Sequence, residues 1–201
     1  MKITKDYPGL TRAKNGDYIL NGDLISEDGI EIDLDNLLFV DGSIKAKFGI
    51  KARAGIQARD GIKAGLGITA EWGIKAGDSI EAKHEIEAKY GIEAGKSIKT
   101  RGYIIAGCEI KAGWNIIAGT FIKAEWGIKA GDEIEAGYGI VSGWGIQAGT
   151  YIDCGKRIFA GTSVYDSDDC CINAIQCAEL RNGTVAFGDL IITKQEETNE
   201  D

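Results

Sequence analysis

Few side chains of this sequence are of the types that catalyse reactions or bind metals. His84 is the only histidine, and no partner base or substrate cleft accompanies it. The sequence therefore predicts an exposed structural residue rather than a general base. One histidine also excludes a metal site made of three histidines of one chain. Cys170, Cys171 and Cys177 lack the two-residue spacing that pairs cysteines in zinc sites, so we expect no catalytic residue, no metal and no cofactor.

Two sets of charged residues have a regular spacing. Glu81, Glu87 and Glu93 recur every six residues, but acid–base catalysis needs a pocket, so we expect cross-strand pairing with lysines instead. Six basic residues near the start of the repeats could form an anion-binding or nucleic-acid-binding patch: Lys45, Lys47, Lys51, Arg53, Arg59 and Lys63. The sequence favours a solvated face that the acidic N-terminal segment neutralises, and we do not expect nucleic acid as a partner.

The composition limits the class of protein. The chain has 201 residues with 29 Gly, one Pro and five Cys, and a formal net charge of −8. A single proline excludes collagen and proline-rich disorder despite the high glycine content. The sequence contains neither an apolar stretch of ~18 residues nor a signal peptide. An odd number of cysteines without a secretion signal predicts reduced thiols, so we expect a cytoplasmic protein without membrane contact.

A six-residue repeat dominates the sequence. Isoleucine occupies every sixth position from Ile44 to Ile158, and a small residue follows two positions later, as in Ile74 and Ala76. Residues two apart lie on the same side of an extended strand, whereas a helix would scatter a six-residue period around its circumference. Each hexad therefore predicts a short strand and a corner, and the series predicts an all-β, single-stranded parallel β-helix.

The aromatic residues indicate how many hexads close one coil. Trp72, Tyr90, Trp126 and Trp144 fall in one column if a coil contains 18 residues, and a coil of 24 would separate them. We expect a triangular prism of about seven coils, capped at both ends, with coils ~4.8 Å apart. The general chirality of parallel crossovers favours a right-handed coil.

The repeat divides the chain into four segments. We expect an N-terminal β cap with the first irregular hexads over residues 1–43, the hexapeptide-repeat β-helix over 44–164, a C-terminal cap over 165–193 and a disordered acidic tail over 194–201. The negative charge is concentrated at the ends, with a net of −5 over residues 1–43 and −7 over 165–201. Acidic ends repel each other, which disfavours a filament.

The C-terminal cap is expected to contain a helix and a strand. Residues 171–180 predict a short amphipathic helix, with Asp168 or Asp169 as its N-cap. Residues 181–184 predict a turn, and residues 185–193 predict a strand.

One face of the predicted prism carries most of the outward apolar side chains. This face, here called the aromatic face, is built on Ile50, Ile68, Ile86, Ile104, Ile122, Ile140 and Ile158. Its candidate interface residues are Ile105, Val141 and Phe159 on the strands, Tyr103, Phe121 and Tyr138 on the leading edge, and Trp72, Tyr90, Trp126 and Trp144 on the trailing edge. Such a patch predicts an interaction surface. The alternative is that corner aromatics stack on one another and cover the backbone.

Over residues 44–164, the run of Ile-x-Ala-Gly-x-Gly hexads resembles the hexapeptide-repeat β-helix proteins, whose best-known members are acyltransferases. Their hexad places the small residue two positions before the aliphatic one, whereas here it comes two positions after. Those enzymes also carry an extruded loop and a catalytic histidine, and this run has no insertion. The sequence is similar, too, to glycine- and isoleucine-rich repeat proteins of bacterial and phage open reading frames.

These observations predict a non-enzymatic binding protein whose aromatic face serves self-association, with a dimer favoured, or a protein target. The resemblance to phage proteins implies a possible inhibitor of a host nucleic-acid-handling or defence complex. Two alternatives stay open: an acyltransferase-like enzyme with an inter-subunit site, and a structural or filament-forming element.

Overall fold

The computed structural model describes residues 1–162 and 173–193, and every regular element in these two ranges is a β-strand. The strands are β1 (Lys2–Ile3), β2 (Leu10–Arg12), β3 (Tyr18–Asn21), β4 (Leu24–Ser26), β5 (Ile30–Ile32), β6 (Leu38–Asp41), β7 (Ile44–Ala46), β8 (Ile50–Ala52), β9 (Ile56–Ala58), β10 (Ile62–Ala64), β11 (Ile68–Ala70), β12 (Ile74–Ala76), β13 (Ile80–Ala82), β14 (Ile86–Ala88), β15 (Ile92–Ala94), β16 (Ile98–Thr100), β17 (Ile104–Ala106), β18 (Ile110–Ala112), β19 (Ile116–Ala118), β20 (Phe121–Ala124), β21 (Ile128–Ala130), β22 (Ile134–Ala136), β23 (Gly139–Ser142), β24 (Ile146–Ala148), β25 (Tyr151–Phe159), β26 (Ala174–Cys177), β27 (Glu179–Phe187) and β28 (Asp189–Ile192).

The hexads form strands of the expected kind. In β12, Ile74 and Ala76 are buried while Lys75 between them is exposed, and this alternation recurs along the repeat. Isoleucine is β-branched and suits a pleated, half-buried strand, so one hexad supplies one short strand with a single apolar side. The core is consequently a set of stacked isoleucines flanked by alanines.

The parallel register confirms the coil of 18 residues. Ile62 pairs with Ile80, and Ile80 pairs with Ile98, each time 18 residues further along the chain. The solenoid has about nine coils rather than the expected seven, because the two terminal segments continue the stack. A single insertion of two residues, between Ile30 and Leu38, lengthens the first coils to 20 residues, as the pairing of Leu24 with Ile44 shows.

Three walls surround the core. Wall 1 contains β4, β7, β10, β13, β16, β19, β22 and the first half of β25. Wall 2, which corresponds to the aromatic face, contains β1, β5, β8, β11, β14, β17, β20, β23 and the second half of β25. Wall 3 contains β2, β3, β6, β9, β12, β15, β18, β21, β24, β26 and β28. The triangular cross-section predicted from the sequence is thus confirmed.

The two ends differ from each other. At the N-terminal end, β2 pairs antiparallel with β3 and so covers the first edge of wall 3. At the C-terminal end the expected helix is wrong, because β26 pairs in parallel with β24. Ile175 and Cys177 are both buried, a period of two that belongs to a strand.

The remaining predictions for the C-terminal cap are corrected in detail. The expected turn over residues 181–184 lies inside β27, where Gly183 has a φ of +105°. The expected strand over residues 185–193 is divided at Gly188, whose φ is +114°, between β27 and β28. Asp168 and Asp169, the candidate N-caps, and the acidic tail over residues 194–201 lie outside the described residues.

Candidate interaction surface

The trailing edge of the aromatic face carries a vertical column of aromatic residues. Its members are Trp72, Tyr90, Cys108, Trp126 and Trp144, and backbone hydrogen bonds join each to the next. The amide of Tyr90 donates to the carbonyl of Trp72 over 3.2 Å, and the amide of Trp144 donates to the carbonyl of Trp126 over 3.0 Å. The structure therefore aligns the four predicted aromatic residues, and we call this set the tryptophan column.

Stacking inside the tryptophan column leaves much of each ring exposed. The rings of Trp126 and Trp144 are parallel, with centroids 5.3 Å apart, yet the two residues remain 48% and 36% exposed. Trp72 and Tyr90 are also exposed. The alternative interpretation was that these rings stack on one another and cover the backbone. It explains the stacking of Trp126 on Trp144, but it does not explain the apolar area that stays in solvent.

The leading edge shows the same arrangement. The rings of Tyr103 and Phe121 stack with centroids 5.2 Å apart, and the ammonium of Lys156 lies 4.3 Å from the ring centre of Tyr138. Phe48, in an earlier coil on the same edge, is exposed. Both edges of the face therefore present aromatic side chains.

Between the two edges, the outward row of wall 2 alternates charge and apolar surface. The parallel register stacks Glu87, Ile105, Lys123, Val141 and Phe159 in this order. Ile105, Val141 and Phe159 are half-buried by their neighbours, whereas Glu87 and Lys123 are exposed. The ten predicted interface residues therefore lie on the strands of wall 2 and at its two edges, where Trp126 also borders a hollow of wall 3.

Walls 1 and 3 each contain an ion pair between strands of adjacent coils. On wall 1, Lys63 donates to Glu81 over 2.7 Å, and on wall 3, Lys75 donates to Glu93 over 2.9 Å. The expected cross-strand pairing is therefore present for Glu81 and Glu93. It is wrong for Glu87, whose neighbours in the ladder are Thr69 and Ile105 and offer no cation.

The candidate anion-binding patch is largely occupied by carboxylates. Among its six basic residues, four form ion pairs with acidic residues: Lys47–Glu27, Arg53–Asp33, Arg59–Asp41 and Lys63–Glu81. Lys45 and Lys51 complete the set on two different walls. The acidic N-terminal coils supply three of the four carboxylates, as the sequence indicated, and this leaves little positive field for an anion.

Two shallow hollows lie on the aromatic face. One, of about 760 Å³, is bordered by Lys51, Arg53, Trp72 and Tyr90. The other, of about 530 Å³, lies towards the C-terminal end and is lined by Phe121, Tyr138, Val141, Arg157 and Phe159. Both combine aromatic rings with charged side chains. In the first hollow the charges are of both signs, since Glu31, Asp33 and Glu71 also line it.

The structure also exposes apolar residues that the sequence analysis missed. Phe187, Leu190, Ile191 and Ile192 of the final coil are between 42% and 53% exposed. The sequence analysis assigned this segment to a cap. The spacing between Ile175 and Leu190, which are paired in neighbouring strands, is the signal that could have identified these residues as a further coil.

The titratable residues do not converge. His84 is exposed at a corner, and no group of three His, Cys, Asp or Glu side chains meets with metal-binding geometry in the described ranges. Burial raises the pKa of the Cys154 and Cys177 thiols, which makes them poor nucleophiles. Cys170 and Cys171 lie outside the described residues.

In residues 1–162 and 173–193, no helix has the length and hydrophobicity that a membrane crossing requires. Comparisons with known proteins found no matching family model, no similar curated protein and no similar solved structure.

Proposed function

We propose that the protein is a non-catalytic interaction module of the hexapeptide-repeat β-helix type, and that its aromatic face is a docking surface for protein. The observation that carries this proposal is the alignment of exposed tryptophan and tyrosine rings along one edge of wall 2, with the exposed rings of Phe48 and Tyr138 on its other edge. Monomeric proteins rarely leave such a contiguous apolar patch in water.

The geometry of the solenoid suits binding by a rigid surface. Each outward residue is fixed by a strand that pairs on both sides, as Ile105 is between Glu87 and Lys123. Little conformational entropy is therefore lost when a partner docks. Aromatic residues with few rotatable bonds are also those that contribute most to binding energy at interfaces.

Enzymatic acyl transfer is the weaker candidate. A convex prism provides no cleft around His84, and among the described residues its imidazole makes no hydrogen bond or ion pair with the flanking Lys83 or Glu85 or with any other acid or base. General acid–base catalysis needs such a partner within hydrogen-bonding distance of the reacting atom. No specific observation favours the structural or filament-forming alternative either.

Two tryptophan variants test the docking surface. Trp126→Glu places a charge in the tryptophan column, and Trp114→Glu is the matched control, because Trp114 is equally exposed but lies on another corner. We expect the wild type and Trp114→Glu to form the same complex, with a copy or a target, in light scattering and in affinity capture from the source cells. Trp126→Glu should lose it with an unchanged circular dichroism spectrum. Equal behaviour of all three chains would contradict the proposal.

A further inference from the structure

Four charged residues at the centre of the aromatic face are arranged symmetrically about the coil of Ile105. Glu87 and Lys89 lie one coil before it, and Lys123 and Glu125 occupy the same two positions one coil after it. The order of charge is therefore reversed on either side of Ile105. A half-turn about an axis that runs parallel to the strands through Ile105 places Glu87 opposite Lys123 of the copy. It also places Glu125 opposite Lys89, which already forms an ion pair with Glu71 of its own chain.

The rings of the tryptophan column follow the same symmetry, whereas on the leading edge the half-turn places Tyr138 opposite Leu66 and Phe121 opposite Glu85. In the tryptophan column, Tyr90 and Trp126 lie one coil from Cys108, and Trp72 and Trp144 lie two coils from it. The same half-turn places ring against ring on both sides of Cys108. On the strands it places Thr69 opposite Val141 and Ile105 opposite its own copy.

We propose that the occupant of the aromatic face is a second copy of this chain, bound antiparallel about a two-fold axis at Ile105. This inference rests on the proposed function, since it names the partner of the same surface. Two-fold axes are the commonest symmetry of homo-oligomers and require a self-complementary patch. The reversed charge order around Ile105 provides that self-complementarity.

The charges at the centre of the face are available for a partner. Glu87 and Lys123 form no ion pair within residues 1–162 and 173–193, because Ile105 separates them by about 10 Å, or two coil spacings. On walls 1 and 3, by contrast, Lys63 and Lys75 already have carboxylate partners. Wall 1 repeats this ladder, with Lys99 and Glu135 on either side of Ile117, but there the Tyr151 hydroxyl donates a hydrogen bond to Glu135. The aromatic face combines its unpaired acid and base with exposed rings along its edges.

Charge also selects the orientation of the two copies. A two-fold axis along the solenoid would stack equal coils, with Glu87 against Glu87 and Lys123 against Lys123. Such like-charge contacts oppose association. The antiparallel arrangement converts both into ion pairs, so it is the orientation we assign.

The area of the face matches that of a modest dimer interface. From Lys51 to Phe159, the face comprises seven coils. With ~4.8 Å between coils and a width of roughly 20 Å, the face measures on the order of 700 Å². Stable interfaces bury about 800 Å² per partner, so a reversible dimer is expected.

Charge reversal tests the arrangement. In sedimentation equilibrium, Glu87→Lys and Lys123→Glu should each weaken the dimer roughly 10- to 100-fold, because each creates two like-charge contacts across the axis. The double variant, Glu87→Lys with Lys123→Glu, should return to within about threefold of the wild type, since the pairs are restored with reversed sign. Lys129→Glu makes the same change at the equivalent strand position of wall 3 and should have no effect.

A cross-link locates the axis. Ile105→Cys places a thiol on the proposed axis, and Ile117→Cys places one at the corresponding outward position of wall 1. Under mild oxidation we expect a disulfide between two copies at position 105, identified by peptide mapping, and none at position 117.

The outcomes separate this inference from the proposed function. A wild type that stays monomeric at high concentration overturns the dimer, while the docking surface is then judged by target capture with Trp126→Glu and Trp114→Glu. A dimer that Trp126→Glu dissociates, but that shows neither rescue by the double variant nor a cross-link at position 105, overturns the antiparallel arrangement alone. A dimer that Trp126→Glu leaves intact overturns dimerisation through the aromatic face, and target capture with the same two variants again decides on the docking surface.

Discussion

Glycine at the corner between walls 3 and 1 allows successive coils to stack closely. At Gly149, a Cβ atom would overlap the carbonyl oxygen of Gly131 in the coil before it. At Gly127, on another corner, the nearest atom to such a Cβ would be the carbonyl oxygen of Gly145, 3.6 Å away. The first position requires glycine for a close approach of two backbones, and the second does not.

The two glycines therefore predict different costs for the same substitution. Gly149→Ala should lower the free energy of unfolding by about 1–3 kcal/mol, because overpacked backbone must move apart. Gly127→Ala should change it by less than about 1 kcal/mol, in the stabilising direction if the unfolded chain loses freedom. Urea unfolding followed by tryptophan fluorescence measures both, and equal destabilisation would contradict the close approach at Gly149.

A buried tyrosine predicts how stability depends on pH. The hydroxyl of Tyr18 donates a hydrogen bond to Asp35 over 2.7 Å, and the Lys5 ammonium lies 3.0 Å from the same carboxylate. These two contacts lower the pKa of Asp35 from 3.8 to about 2. A carboxylate with a lowered pKa stabilises the fold fully above its unfolded pKa, and this contribution is lost as the pH falls through the folded value.

The corresponding measurement compares wild type with Tyr18→Phe. The difference in thermal unfolding midpoint between them should be largest above about pH 5 and should shrink as the pH is lowered to about 2. Tyr7→Phe is the control, since the Tyr7 hydroxyl contacts the sulfur of Met1 and no carboxylate. A difference that stays constant over this pH range would show that Asp35 is not coupled to Tyr18.

At the scale of the element, one corner replaces a backbone hydrogen bond by a side chain. In regular coils the corner amides bond the coil before, as the amide of Lys96 does with the carbonyl of Asp78. At the corner after β16, the Thr100 hydroxyl donates to the carbonyl of His84 over 2.8 Å and accepts from the amide of Gly102. Thr100, which occupies an alanine position of the repeat, therefore replaces the missing hydrogen bond between the Gly102 amide and the His84 carbonyl by bonding to both groups.

Thr100→Ala should lower the free energy of unfolding by about 1–3 kcal/mol, because it leaves the amide of Gly102 and the carbonyl of His84 without their partner. Ser142→Ala is the matched control. The Ser142 hydroxyl also bonds a corner carbonyl, but the amides of Gly143 and Trp144 keep their backbone partners, so a loss below about 1 kcal/mol is expected. Calorimetry of both variants decides the matter, and equal losses would contradict the substitute role.

The elements that could be predicted from the sequence are those with a strict period. Ile44 to Ile158 recur every six residues, so strands, faces and columns followed by counting, and the tryptophan column followed with them. β26 could not be predicted in this way, because residues 163–173 interrupt the count and Ile146 pairs with Ile175 at a separation of 29. Apolar residues without a long period are compatible with helix or strand, and the pairing partner decided between them.

At the scale of the whole molecule, the hexads are interchangeable in the core but not on the surface. Ile62, Ile68 and Ile74 are buried on three different walls, so the core residues are the same whichever wall a hexad occupies. The outward residues differ between walls, and the tryptophan column exists only while the coil keeps its 18-residue register. The candidate site was therefore predictable from register, whereas its unpaired charges required the ladder neighbours of Glu87.

Two internal deletions separate fold from docking on this basis. Deleting residues 54–71 removes one whole coil and returns every later residue to its own wall, with Glu87, Ile105, Lys123 and the four rings of the tryptophan column retained. Deleting residues 91–96 removes one hexad and moves every later residue to a different wall, which separates Trp72 and Tyr90 from Trp126 and Trp144.

Both variants should keep a β-type circular dichroism spectrum and cooperative unfolding, with stability reduced in proportion to the repeats lost. The 18-residue deletion should still form the dimer in sedimentation equilibrium, and the six-residue deletion should weaken it at least tenfold, a fold-change of the order expected when an interface core is divided. Equally tight dimers from both deletions would mean that the copies meet elsewhere than on the aromatic face.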